Sequence, residues 1–583
     1  MYLKRVITRK PGGRVYAYLK LVEAFRQDGR ARERVLLTLG REEALKASGQ
    51  LDALAAAFAR RDPPTIGIRR EVGPLLLVRH YLERLGLREI VARALPQRGR
   101  AQLSTAECAL ALIANRLSDP APLYDVAGWA AGAALQELFG IPALLLGDDR
   151  LGRALEAFAT KAEEIRGAAA LAAIERFGLE AARLHLDLTA LRVCGSYERS
   201  SLVARGWSAQ RRIARQVQVL QATTGEGIPL YVRPEPGNAA ELSVVGAALE
   251  RLSQLLPPGL LVCADSALGY PKTLCAAERA GLHFVVPLRA PSGFRARFER
   301  DVGHRALRPL AYVARRERHL PPSERSRYRG ALREWTVTDS ETETERRFRV
   351  AYIWSSEEQA SVREARERAL ASAEESLARV RRGLGTSYKS AKAVRQRVAR
   401  IVGPAVSDLL AVSVGERRGR PTLRVARDRA AIARAKKLDG VYALATNIPG
   451  RLSPSQILRT YKDQSLVERR HHDLKGSLRV RPLFLHNDDR ISALISIVGL
   501  ALLVFGLIEH DLRRHLGSEE LFPGLLPEGR AARPTGRNIL AAFQGLGLTY
   551  SADGIRLDRL TATQRRILRV LDIVPPWPEL SAA

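Results

Sequence analysis

YKDQSLVERRHHDLK, residues 461–475, is the stretch on which the reading of this chain turns. Wound as a helix at about 100° per residue, it brings Tyr461, Gln464, Glu468 and Lys475 into an arc of about 60°. One narrow stripe then carries a phenol, an amide, a carboxylate and an ammonium. Val467, Leu474 and Leu478 fall on a neighbouring stripe, so the helix can pack on a core and hold its polar stripe at the rim. Asp463 and Asp473 point elsewhere. His471 and His472 flank the stripe and, as adjacent histidines on a basic helix, are expected in solvent. On an arbitrary charged helix such a stripe is a solvated face, and it is the residues upstream that argue for more.

Upstream, the pattern changes to strands at about residue 182. LHLDLTALRV (184–193) alternates, QVQVLQAT (216–223) and IPLYVRP (228–234) follow, and a helix is expected from about Ala239 to Leu255. The apolar strand GLLVCAD (259–265), a helix near Thr273–Ala280 and the strand HFVVPL (283–288) complete a mixed α/β order with a buried sheet. Asp187 and Asp265, 78 residues apart, sit on or at the end of strands that should lie side by side.

Outward from this core the chain divides into segments. Residues 1–62 alternate in short runs as a small antiparallel β domain with a linker helix, and 63–180 are Ala/Leu-rich and helical. Ser104 or Thr105 should cap the helix AECALALIANRL. The core runs over 181–289 and 440–516, interrupted by an insertion at 290–439. That insertion holds a β-hairpin (GALREWTVTD and RRFRVAYIW) and a basic helical hairpin, Glu357–Arg382 and Lys389–Ile401. A C-terminal helical region fills 517–583. ISALISIVGLALLVFGLI (491–508) carries no charge over 18 residues, the lower bound for a membrane span; broken by Ser and Gly and following a charged helix, it is expected to be a buried core helix, with no membrane partner.

Ninety-four basic against 62 acidic residues, a formal charge of +32 and a pI near 10.7 call for an anionic partner, nucleic acid first. A GC-rich coding sequence explains Arg over Lys and the single Met, but not that surplus. The four cysteines are scattered, which speaks against a zinc site or a secreted disulfide scaffold and fits a reducing cytoplasm. Arg211, Arg212 and Arg215, on a basic loop expected between the first two core strands, are candidate phosphate contacts.

Two strand aspartates and a helix glutamate suit hard divalent cations such as Mg2+ or Mn2+, which take few protein ligands and leave room for water and phosphate oxygens. Two such ions can serve an in-line phosphodiester displacement. At this point the residues resemble a family: the insertion-sequence DDE transposases whose last acidic helix carries Tyr, two residues, Arg, three residues, Glu, six residues, Lys. Tyr461, Gln464, Glu468 and Lys475 match every interval, with Gln in place of Arg. DLTAL at Asp187, the strand ending CAD at Asp265, GVYALATN at 440–447 and DLKGSLRVRPLF at 473–484 extend the likeness over about residues 140–510, and the small N-terminal sheet belongs to one branch of the group.

That resemblance implies an α/β RNase H-like core interrupted by an α+β insertion, with Asp187, Asp265 and Glu468 holding the metals. It implies cleavage at terminal inverted repeats followed by strand transfer into target DNA by a homodimer on double-stranded DNA. Lys475 and Tyr461 would contact phosphates near the cut. Gln464 can hydrogen-bond a phosphate but lacks the charged fork of a guanidinium, which weakens the expectation of a hairpin intermediate. The other readings are a structure-directed nuclease on the same core and an inactive DNA-binding relic or regulator.

Overall fold

The computed structural model describes residues 2–9, 15–27, 30–47, 69–97, 101–207, 213–240, most of 243–250, 259–265, 268–288, 294–463, 465–478, 485–516, 521–551 and 554–580. Two compact units result. One gathers residues 1–72, 545–562 and 574–583, and the other residues 73–544 and 563–573.

In the first unit, strands β1 (Tyr2–Arg9), β2 (Val15–Gln27) and β3 (Arg30–Arg41) form an antiparallel sheet in that order, as the alternation predicts. The expected linker helix at Leu51–Arg60 lies outside the described residues. Strand β4 (Arg69–Glu71) belongs to a second sheet of the same unit.

The second unit opens with helices α1 (Leu75–Leu85), α2 (Thr105–Leu117) and α3 (Asp148–Phe177). Ser104 caps α2 reciprocally: its hydroxyl accepts from the Glu107 N–H at 3.1 Å, and the Glu107 carboxylate accepts from the Ser104 N–H at 2.7 Å. The sheet follows. Its strands are β5 (Arg183–Arg192), β6 (Ala204–Trp207), β7 (Ile213–Thr224), β8 (Pro229–Glu235), β9 (Leu261–Cys263), β10 (His283–Pro287), β11 (Arg308–Pro309), β12 (Tyr328–Thr338) and β13 (Glu345–Ser355). After the helix α4 (Ser356–Arg382), the helix α5 (Ala391–Ile401) and the hairpin β14 (Leu410–Arg417) and β15 (Arg420–Arg427), the chain passes through α6 (Arg429–Lys436) and returns as β16 (Val441–Thr446).

The ten strands run β11-β12-β13-β16-β10-β9-β5-β7-β6, with β8 paired to β7. Only β5, β9 and β10 are parallel neighbours; the other pairings are antiparallel. The β12–β13 hairpin, which the sequence groups with the insertion, pairs through β16 and widens the core sheet. Its partner strand lies almost ninety residues further on, where local patterning cannot point to it. The part with its own core is smaller: Leu370, Leu377, Val380, Val394, Val406, Leu410, Leu423 and Ile432 pack together within α4 to α6.

Helices α7 (Pro454–Lys462), α8 (Ser465–Lys475) and α9 (Asp488–Leu516) close the sheet, and α10 (Gly536–Ala541) follows. The uncharged stretch at 491–508 is the centre of α9. It is long and apolar enough to cross a membrane, yet 94% of its most apolar window is buried inside the protein, packed on α1, α2, α3 and β8. It is the buried core helix expected. Glycine is required at its crossing with β8: a Cβ on Gly499 would stand 2.6 Å from Val232 Cβ, and one on Gly506 2.8 Å from Pro229 Cδ. The C-terminal region, expected to be mainly helical, also carries a hairpin in the first unit, β17 (Gly547–Ser551) and β18 (Gly554–Leu557), which pairs with β4.

Candidate active site

The two aspartates are brought together by strand register. β5 and β9 pair in parallel with Arg183 opposite Leu261 and His185 opposite Cys263. The offset is the same 78 residues that separates the acids, so Asp265, two residues past the end of β9, comes level with Asp187. Parallel neighbours are about 4.8 Å apart. The apolar residues Leu184, Leu186 and Leu191 bury β5, while Asp187 keeps 20% of its side chain exposed and accepts from the Leu188 N–H at 2.8 Å.

The opening stretch is two helices rather than one. α7 closes at Asp463, and Glu468 lies on α8 with Tyr461 left behind on α7. Asp463 ends the helix while its carboxylate pairs with Arg183 at 3.0 Å, a tie to β5 that a periodicity argument has no means of including. Gln464 lies outside the described residues, as do Arg211 and Arg212. Arg215 is on β7, half-buried, and donates to the Gly195 carbonyl.

α8 lies against β5 and β7. The expected apolar stripe is there, with Val467, Leu474 and Leu478 all buried. Lys475 donates to the Thr189 hydroxyl on β5. His471 departs from expectation: it is buried, with Nδ1 3.5 Å from Asp187 Oδ2, and burial followed by the nearby Lys475 charge lowers its pKa to about 3, so the ring is neutral. The face it shares with the core, not its basic neighbours in sequence, decides its environment. His472 is exposed as expected.

Asp187, Asp265 and Glu468 open on one cleft of about 1260 Å3, with Tyr461, Asp463 and Lys462 along the same wall. Tyr461 reports their common field. Burial first, and then the charges of Asp265, Glu468 and Asp187, push its hydroxyl up to about 12. Among the described residues no group of three His, Cys, Asp or Glu side chains is set closely enough to hold an ion alone. The donor set is nevertheless all carboxylate, matching hard divalent cations that take few protein ligands and complete their shell with water or phosphate oxygens.

The cleft also holds residues that the sequence did not mark: Arg315, Arg316 and Arg318 from the connection between β11 and β12, Arg459 on α7, and Glu357 and Glu358 in the first turn of α4. In sequence they are short charge runs (RRER at 315–318, EE at 357–358) like many others in a basic chain, and only the fold gathers them on one cleft.

Behind Glu468, α8 is anchored by buried charges. Arg470, 1% exposed, donates to the Gly227 carbonyl at 2.7 Å, to Asp473 at 3.1 Å and to Glu509 of α9 at 3.0 Å. Glu509 also meets Arg469 at 3.2 Å and Arg513, and accepts from the Gly536 N–H at 3.0 Å. Burial raises the Glu509 pKa, but Arg470, Arg513 and Arg469 outweigh it and hold the carboxyl below its ordinary value.

Comparison with known families agrees with this geometry. The family model for the transposase DDE domain matches residues 181–504, that for the IS1634 family transposase N-terminal domain residues 3–65, and that for a domain of unknown function (DUF4277) residues 69–165. No curated protein matches the chain. The DDE domain carries an RNase H-like α/β fold, uses divalent metal ions and acts on DNA, in keeping with the mixed sheet and the carboxylate cleft. With more than half of its length matched, the chain belongs to the transposase DDE domain family and is an insertion-sequence DDE transposase, a metal-dependent nuclease and transferase.

Proposed function

We propose that Asp187, Asp265 and Glu468 are the catalytic carboxylates of this transposase, that they hold Mg2+ or Mn2+ as a pair of ions, and that the enzyme cleaves the terminal inverted repeats of its element and joins the freed 3′ ends to target DNA. The observation that carries this reading is the shared cleft: a 78-residue spacing equal to a strand register, and a helix glutamate opening on the same space. The bound ions would supply Lewis-acid activation of the attacking oxygen and stabilise the leaving one.

The chain's own residues hold the carboxylates in place and shape what approaches them. Neutral His471 packs on Asp187 and limits its motion without adding charge. Tyr461, kept protonated by burial first and then by the three acids, can donate a hydrogen bond to a phosphate oxygen. Lys475, braced by Thr189, supplies a positive charge two residues along β5 from Asp187. Gln464 and Arg211, Arg212 and Arg215 are further candidate backbone contacts. The segments 1–62 and 63–180 would bind the transposon ends, with two copies of the chain holding two ends.

The test uses plasmid DNA carrying the element's own flanking repeats. Asp187→Asn, Asp265→Asn and Glu468→Gln, made singly, should each abolish Mn2+-dependent nicking while leaving retention of the repeat DNA intact. A Glu468→Gln enzyme that cuts as well as wild type overturns the assignment. A linear donor with a supercoiled target separates transposition from plain nuclease action, since only the former yields joined products.

A further inference from the structure

The connection between β11 and β12 is built rather than loose. Glu317, 8% exposed, accepts from the Ser326 N–H at 2.9 Å and from the Ser326 hydroxyl at 2.7 Å, pinning the middle of the segment to the approach to β12. Tyr312 packs edge-on against Tyr328 with ring centroids 4.9 Å apart, and Arg325 donates to the Leu320 and Arg318 carbonyls at 2.7 and 3.0 Å. On this fixed frame Arg315, Arg316 and Arg318 line the cleft that Asp187, Asp265 and Glu468 open on. Arg316 pairs with Glu357 in the first turn of α4, with 64% and 43% of the two side chains exposed. An ion pair that wet contributes little, so exchanging the carboxylate for another anion costs little.

We propose that Arg315, Arg316 and Arg318 form a phosphate-gripping wall for the DNA strand in the cleft, and that Glu357 occupies Arg316 until a backbone phosphate displaces it. The inference rests on the reading of this cleft as the cleavage site and adds the residues that hold the strand against the acids. A wall of cations is needed there for a plain reason: carboxylates repel a polyanion, and the cleft has to retain DNA in spite of them. Guanidinium groups suit the task because their planar forks meet phosphate oxygens two at a time.

The experiment measures binding of the full-length protein to a short DNA duplex over a range of NaCl concentrations. Each phosphate contact contributes about 0.9 to the slope of log K against log salt. Arg315→Gln/Arg316→Gln/Arg318→Gln should lower that slope by roughly two to three, and the Lys versions of the same three positions should restore it. Glu357→Gln should tighten binding several-fold at constant slope. A triple Gln variant with wild-type slope overturns the proposal, as does the result that Arg395→Gln/Arg397→Gln on α5 flattens the slope in its place. Nicking of plasmid in Mn2+ is followed in parallel with wild type. A wild type that binds with the predicted dependence on the three arginines but never nicks refutes the catalytic reading alone, whereas normal nicking with an unchanged slope refutes the wall alone.

Discussion

Glu509→Gln removes one charge from the centre of the anchor behind Glu468 and changes almost nothing in shape. Glu509 is 2% exposed in its side chain and is the common partner of Arg469, Arg470 and Arg513. In the variant the buried Arg470 keeps Asp473, while the half-buried Arg469 and Arg513 lose the carboxylate they meet. Breaking a buried pair by neutralising one member costs about 3–5 kcal/mol, because the partner charge stays buried without compensation. Arg470 alone of the three is fully buried and it keeps Asp473, which puts this substitution at the lower end of that range. Urea denaturation followed by tryptophan fluorescence gives the midpoint shift, and Mn2+-dependent nicking shows whether α8 still presents Glu468. A second readout is the acid limb. The Glu509 pKa lies below its ordinary value of 4.5 in the folded protein, so its stabilising contribution is complete above that pH and disappears as the pH falls through the folded pKa. The Gln variant should lack that part of the loss and show a flatter acid limb. A Glu509→Gln protein that unfolds within about 1 kcal/mol of wild type refutes the view that these charges compensate one another.

Three further outcomes test the architecture. Gly499→Ala inserts a methyl 2.6 Å from Val232 where α9 crosses β8, and should cost about 1–3 kcal/mol in thermal or urea unfolding; Gly167→Ala, with open space at its Cβ, should not. Ser104→Ala removes the capping box of α2 and should cost about 1 kcal/mol, with Ser104→Thr recovering most of it. Asp439→Asn breaks the buried pairing with Arg366 (2.7 Å for one of its two contacts) that ties the first half of α4 to the approach to β16; amide hydrogen exchange should quicken in residues 356–438 before it does in β5.

Much of the core was legible because its signals are local or depend on register. Leu184, Leu186 and Leu191 mark β5 by alternation, and the 78-residue interval from Asp187 to Asp265 is itself the strand offset. The α9 stretch declares its burial by composition. What escaped depends on partners distant in the chain. Asp463 breaks the expected single helix while paired with Arg183, some 280 residues away, and nothing in YKDQSLVERR announces it. Arg470 sits in a run of charges that reads as surface, yet it is among the largest fully buried side chains because Glu509, Asp473 and the Gly227 carbonyl satisfy it. His471 is buried beside it, on the side of α8 that meets Asp187. The Arg315–Arg318 wall has no motif at all; its meaning is positional.

The close crossing of α9 on β8 also bears on how the chain comes to be folded. Val232 and Gly499 meet across roughly 270 residues, a separation whose closure belongs among the slow, late events of folding. During synthesis the β8 face leaves the ribosome long before its cover exists, and a product ending short of Asp488 carries both aspartates on a sheet that stays open on that side. Such fragments expose apolar surface and are prey to aggregation and proteolysis. Closure of the sheet that carries the two aspartates is thus expected only once α9 has been made.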